Sequence, residues 1–246
     1  MSKEVRTVDD MLDEFNERLL RVFNLNVYAR ALALQQEEID ALDDYIARVK
    51  KYKYLAIRKV DEPLANLFFH CQCLMQSLQA SLRVWVVLKT KRPSEAWAHL
   101  IDAQEYLDIS RKAKPDATLS RFEERLRSME DSLFPSQNLY NSAGFSETIG
   151  KCSICQQPFA MCDHLEGHIY MGQLCQRVDR EIIEVNHGAL VRDPRDRRCV
   201  LVKNSNDDGR MIDRFTLEDV GPKKDDGDQA MHVEGVIMSF RQLDLA

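Results

Sequence analysis

The chain of 246 residues has no long apolar run: the longest is Val84-Trp85-Val86-Val87-Leu88, far short of the roughly 20 residues that cross a bilayer. No membrane span is expected. A basic surplus is missing too. The formal net charge is −6, and neither half carries an excess of Lys and Arg, so a phosphate-rich partner is not the first expectation. The opening MSKEVRTVDDMLDEF is acidic and has no apolar stretch, unlike a secretory signal or a transit peptide, and this points to a cytoplasmic protein. There is no repeat of fixed period, no low-complexity tract, no Gly-rich phosphate loop, no Gly-x-Ser-x-Gly elbow and no His-Glu-x-x-His pair, so the common signatures of nucleotide binding, acyl transfer and zinc proteolysis are absent.

What is present is an ordinary globular balance, 44% hydrophobic and 30% charged, with enough chain for one large domain or two smaller ones. Residues 1–135 read as helix, punctuated by prolines at 63, 93, 115 and 135 that suit helix starts and stops. Val8, Met11, Leu12, Phe15, Leu19, Val22 and Phe23 form one helical stripe. Leu25, Tyr28, Leu32, Gln35, Ile39, Leu42, Ile46 and Val49 alternate steps of three and four, a coiled-coil-like seam with one polar lapse. Asp61 is a good N-cap, with Pro63 in the first turn of the most apolar helix, Leu64 to Trp85. The break at Lys89–Pro93 implies an antiparallel partner through Trp97, Leu100, Ile101 and Leu107. Leu119, Phe122, Leu126, Met129 and Leu133 supply a further short helix.

From about Phe134 helical periodicity stops and Ser, Asn and Gly gather. Residues 136–150 read as a linker. Beyond it, 181–185, 199–202 and 233–240 read as short strands, with turn-rich loops at 204–209 and 222–228. The expected class is therefore α+β: a helical hairpin or bundle over 1–135, joined by the linker to a small zinc-stabilised β-rich domain over 151–246.

Seven cysteines are present, and four of them, Cys152, Cys155, Cys162 and Cys175, fall within 24 residues beside His164 and His168. In a reducing compartment such clustering favours thiolate metal ligands over disulfides. A Cys-x-x-Cys turn brings two sulfurs onto one ion, and tetrahedral zinc then needs two more ligands. Cys152 and Cys155 fill the first two places. Four candidates remain for the other two, and the assignment favoured here is His164 with Cys175, Cys162 being the competitor and His168 facing solvent. Four thiol or imidazole ligands close the coordination shell, so the ion is expected to be structural. Cys71 and Cys73 lie two apart on an apolar helix, face different directions, and read as core residues.

The run CSIC, CDH, Gly167, Tyr170, Gly172 and Cys175, followed by EVNHGALV and DPRDRRC, resembles a small Cys/His zinc-binding module of uncharacterised bacterial and phage proteins, including some phage head-maturation proteins. The resemblance covers residues 152–199. It implies that Cys152, Cys155, Cys162, His164 and Cys175 are the positions that hold one zinc ion. A Gly commonly follows the second Cys of that pattern, where this chain has Gln156.

The functional expectation is a non-enzymatic protein-interaction or assembly protein with one structural Zn²⁺ and a protein partner, homodimerisation through an exposed helical stripe included. Two alternatives stand beside it. One is nucleic-acid binding through the zinc module and the arginines Arg192, Arg195, Arg197 and Arg198, or through Lys50, Lys51, Lys53, Arg58 and Lys59 interleaved with Tyr52 and Tyr54. The other is a metal-dependent nuclease or hydrolase, for which Asp163-His164 invites comparison with HNH-type nucleases. Those enzymes need an Asn and a His spaced along a following helix, whereas Asn186 and His187 are neighbours in a strand-like run.

Overall fold

The computed structural model describes residues 7–115, 118–135, 139–223, 231–239 and 243–245. It is an α+β protein: α1 (Val8–Leu25), α2 (Leu32–Arg58), α3 (Glu62–Lys89), α4 (Pro93–Ala113) and α5 (Thr118–Leu133) precede ten strands among the described residues.

Helices α1 and α3 begin with side-chain caps. Thr7 and Asp10 cap α1 reciprocally, side chain to backbone N–H, at 3.1 Å each. Asp61 accepts from Leu64 N at 3.1 Å, with Pro63 in the first turn of α3. Positive backbone φ at Val60 and Lys91 turns the chain sharply on either side of α3. Helix α3 is buried around most of its circumference, with α1, α2 and α4 packed against it. Ser77 bonds the carbonyl of Ala103, and His70 contacts that of Ser110, so α3 and α4 run antiparallel as the sequence implies. Trp97, Tyr45, Phe68, Phe69 and Leu78 are among the fully buried side chains that form this core.

The coiled-coil-like seam is interrupted. Positions Gln35 to Val49 of it are buried, but α1 ends at Leu25, and Tyr28 and Leu32 are 60% and 40% exposed. The break is fixed by Asn26, which is buried and bonds Ser81 and the indole N–H of Trp85 through its side chain. Gln79 of α3 donates to the carbonyl of Ile39 on α2. The seam from Gln35 to Val49 is thus covered from within the chain, while Tyr28 and Leu32 stay open.

Contacts divide the chain into two compact units, and the division differs from the linear 1–135, 136–150 and 151–246 order. The first unit comprises residues 1–127, 151–178 and 243–246; the second comprises 128–150 and 179–242. The first therefore holds α1 to α4, and α5 as far as Arg127, together with β2 (Lys151–Cys152), β3 (Ile169–Tyr170), β4 (Gln173–Leu174) and β5 (Arg177–Val178), paired β2 with β5 and β3 with β4. The physical reason is burial. Leu174 and Ile169 join Phe69, Cys73 and Ile109 in one apolar cluster, so the cysteine-rich segment packs on helices rather than on the later strands.

The second unit contains β1 (Tyr140–Glu147), inside the expected linker, paired antiparallel with β6 (Ile182–Val191), with register shifts after Gly144 and Ser146. Its other sheet runs β10-β7-β8-β9: β7 (Leu201–Ser205), β8 (Arg210–Asp213), β9 (Asp219–Pro222) and β10 (Val233–Gly235). The loop read at 204–209 is the β7–β8 turn, where Gly209 takes φ +71°. Phe240, expected at the end of the last strand, and residues 224–228 of the expected 222–228 loop lie outside the described residues.

Candidate metal centre

Strand β2 delivers Cys152 opposite Arg177 of β5, and the chain then folds back on itself. Cys152 N donates to Gln157 O and Gln156 N to Cys152 O, both at 3.0 Å. Gln156 sits at φ +59°, in the left-handed region that costs a side chain free energy. The turn aims the N–H of Ile154 at Cys152 Sγ, 3.4 Å away. A single helical turn at Phe159–Met161 leads into Cys162, and His164 N donates to Cys162 Sγ at 3.2 Å. Backbone dipoles thus converge on the sulfurs before any ion is considered.

The ligand atoms of Cys152, Cys155, Cys162 and His164 all lie within 4.8 Å of one another. Cys155 Sγ is 3.5 Å from Cys162 Sγ, and His164 Nδ1 lies 3.2 Å from Cys162 Sγ and 3.8 Å from Cys152 Sγ. A tetrahedral ion with bonds of about 2.3 Å to sulfur spaces its ligands about 3.8 Å apart, so both the donor types and the gaps fit one thiolate-preferring divalent metal. The His164 ring is held edge-on against Tyr170, 4.7 Å between centroids, and the Tyr170 hydroxyl accepts from Leu165 N. No spacing rule in the sequence announces that supporting role.

The sequence favours Cys175 beside His164, with Cys162 as the competitor. The structure brings Cys162 into the mutual set instead, while Cys175, fully buried, stands with its sulfur 3.8 Å from that of Cys152. The reason is local: Cys175 is tied into the β3–β4 hairpin by its N–H to His168 O and its carbonyl to Gly167 N, both at 2.8 Å, whereas Cys162 and His164 share one irregular loop that can wrap an ion. His168 is exposed, as expected.

Electrostatics shows the same crowding. Burial opposes ionisation of Cys152, but the N–H groups of Cys155 and Ile154 and hydrogen bonds from Cys162 and Cys155 outweigh it and lower its thiol to about 6. Burial and that neighbouring charge push Cys162 up to about 11 and Cys175 to about 12. One thiolate suppresses the next, and a bound cation is what lets several ionise together.

The segment is anchored to α3 by its β3–β4 turn. Gly172 N donates to Asn66 Oδ1 at 2.7 Å and Met171 N to Glu62 Oε1 at 3.3 Å. Gly172 has φ +68°, and a Cβ there would come within 2.6 Å of the Ala65 carbonyl oxygen, so both conformation and contact require glycine.

Other candidates are placed elsewhere. Cys71 and Cys73 are buried in α3, and burial pushes Cys71 up to about 12 and Cys73 higher still. Lys53 is turned inward, so the run from Lys50 to Lys59 is not one open basic face. Arg195 stacks over Phe145 and lies 3.8 Å from Glu147, Arg197 pairs with Glu130, and Arg198 is buried beside Asp196. Asn186 and His187 belong to β6, in the second unit. Among the described residues, no helix is long and apolar enough to cross a membrane. No family model, no curated protein and no solved structure matches this chain.

Proposed function

We propose that the chain is a non-enzymatic protein-interaction or assembly protein of the cytoplasm, whose 151–178 segment, packed on the helices, is held together by one structural zinc ion. The observation that carries this reading is the mutual 4.8 Å set of three sulfurs and one imidazole nitrogen. That donor set selects zinc over hard, oxygen-seeking ions. Four protein ligands also leave no position for a reacting water, which separates the site from hydrolytic centres with three ligands and an opening. Cys152, Cys155, Cys162 and His164 are the proposed ligands, with Cys175 as a buried neighbour. Resemblance to the small Cys/His module of bacterial and phage proteins supports the structural role, since zinc in such short segments supplies folding energy. The carboxylate partners of Arg195, Arg197 and Arg198 weigh against the nucleic-acid alternative.

Elemental analysis combined with native mass spectrometry tests the reading. One zinc per chain is expected in the wild type and in Cys175→Ser, and less than a tenth of that in Cys162→Ser. Protein purified without metal, or with a Cys152–Cys175 disulfide, would overturn it.

A further inference from the structure

Residues Leu243–Leu245 lie in a groove between α2, α3, α4 and the β3–β4 hairpin, all within the first compact unit. The leucines pack against the cluster of Phe69, Cys73, Ile109 and Leu174. The polar contacts go mainly to backbone. Lys53 Nζ donates to Leu245 O at 2.8 Å, Gln76 Nε2 to Asp244 O at 2.6 Å and Gln72 Nε2 to the same oxygen at 3.3 Å, while Asp244 N donates to the Tyr106 hydroxyl at 2.9 Å. The Asp244 carboxylate pairs with Lys50 and is otherwise largely exposed.

Polar side chains from three helices thus converge beside an apolar cluster, a costly arrangement unless main-chain groups satisfy them. Such a set reads a tight backbone turn, closed here by Leu245 N–H donating to Leu243 O at 3.1 Å, with two apolar side chains and one acidic side chain, the features of a peptide-recognition groove. Gln72 is fully buried, and its Oε1 has no hydrogen-bond partner among the described residues. An acceptor is therefore left over for the N–H of a longer or differently seated peptide.

We propose that this groove recognises short turns of the form leucine–acidic–leucine on a partner protein, and that Leu243–Leu245 fills it as the chain's own tethered copy. This deepens the interaction reading above, on which it rests, but needs no particular metal. A tethered copy competes at an effective concentration of the order of 1 mM, so partners gain access when that copy is weakened.

The test uses a fluorescein-labelled peptide of residues 241–246, RQLDLA, and anisotropy with three full-length proteins: wild type, Asp244→Lys, and Leu243→Ser with Leu245→Ser. Asp244→Lys reverses an exposed charge and leaves the groove intact, so it stays informative should the double variant fold poorly. At least tenfold tighter peptide binding is expected for Asp244→Lys than for wild type, and none by any protein for a peptide with both leucines replaced by serine. Equal or undetectable binding in all three, with helical circular dichroism retained, would reduce the segment to a structural strap and overturn the proposal. A wild-type dimer that Asp244→Lys dissociates would overturn the tethered form, the segment then serving a second copy. Zinc content measured on the same samples separates the two readings: peptide binding without zinc sinks the metal assignment alone, and zinc without peptide binding sinks the groove alone.

Discussion

The helices of the first unit and the 151–178 segment that packs on them are stabilised by different physics. The helices bury Tyr45, Phe68, Phe69, Leu78 and Trp97 almost completely, and each such side chain contributes about 1.5–3 kcal/mol on leaving water. The segment has four strands of two residues each, and its buried apolar residues are Cys152, Leu174 and Cys175. Burial alone holds the first. The second needs a cross-link among its own side chains and a dock on α3, and the ligand set and Gly172 supply those two things.

The sharpest way to break this contrast is to remove the cross-link. Cys152→Ser, or chelation of the wild type, should cost the segment most of the roughly 10 kcal/mol that zinc gives small modules. Amides of 151–178 should then exchange freely with solvent while helical circular dichroism falls little. Loss of the helices together with the segment would show that the two are not separable. The converse change is Trp97→Ala, which empties a fully buried site in α4 and should cost about 3–5 kcal/mol in urea unfolding, with zinc stoichiometry unchanged under native conditions.

A third prediction probes a polar group inside the helical core. Burial lowers Lys53 from its ordinary 10.5 to about 8, with Lys50 adding to the shift and Cys73 and Asp244 opposing it. Between those two pH values the unfolded chain holds a proton that the folded chain has released, so stability rises with pH across that window. The cost of the buried charge is present in full below pH 8 and relieved by pH 10.5, about 3 kcal/mol at 1.36 kcal/mol per pH unit. Lys53→Met has no such charge. Its stability relative to wild type should fall by that amount from pH 7.5 to 10.5, while the raised thiols and tyrosines common to both proteins largely cancel. A difference that does not change with pH would mean that Lys53 titrates normally.

Helix starts and stops were legible because Asp61, Pro63 and Pro93 act locally through caps and missing N–H groups, and the α3 core was legible through its apolar density. The Cys-x-x-Cys turn was legible for the same reason, since four residues carry the whole instruction. The choice between Cys162 and Cys175 was not, because it depends on which loop can wrap an ion and on the hydrogen bonds that hold Cys175 in its hairpin. Nor was the division of the chain legible. That residues 151–178 belong with the helices follows from Ile169, Leu174, Glu62 and Asn66, which are far apart in sequence and meet only in three dimensions. The Asn26 turn is hidden in the sequence because the spacing around it stays helical, and the turn is set by buried side-chain bonds to Ser81 and Trp85 that form only across helices.

The smallest effect expected lies at Gln156, where the two kinds of stabilisation meet in one residue. Its φ of +59° is a conformation that glycine adopts freely and that costs other residues about 1–2 kcal/mol. Against this, Gln156 Nε2 bonds the Ser153 carbonyl at 2.9 Å from an exposed position, where water replaces the bond at little cost, and glycine adds entropy to the unfolded chain. Gln156→Gly should therefore stabilise the metal turn by about 0.5–1 kcal/mol, read as zinc binding two- to fivefold tighter in competition with a chelator, while the urea midpoint of the helices stays where it was. Weaker zinc binding in the variant would mean that the Gln156 side chain, rather than the backbone conformation, sets the geometry of Cys152 and Cys155, and that the segment relies on side-chain packing more than the contrast with the helices allows.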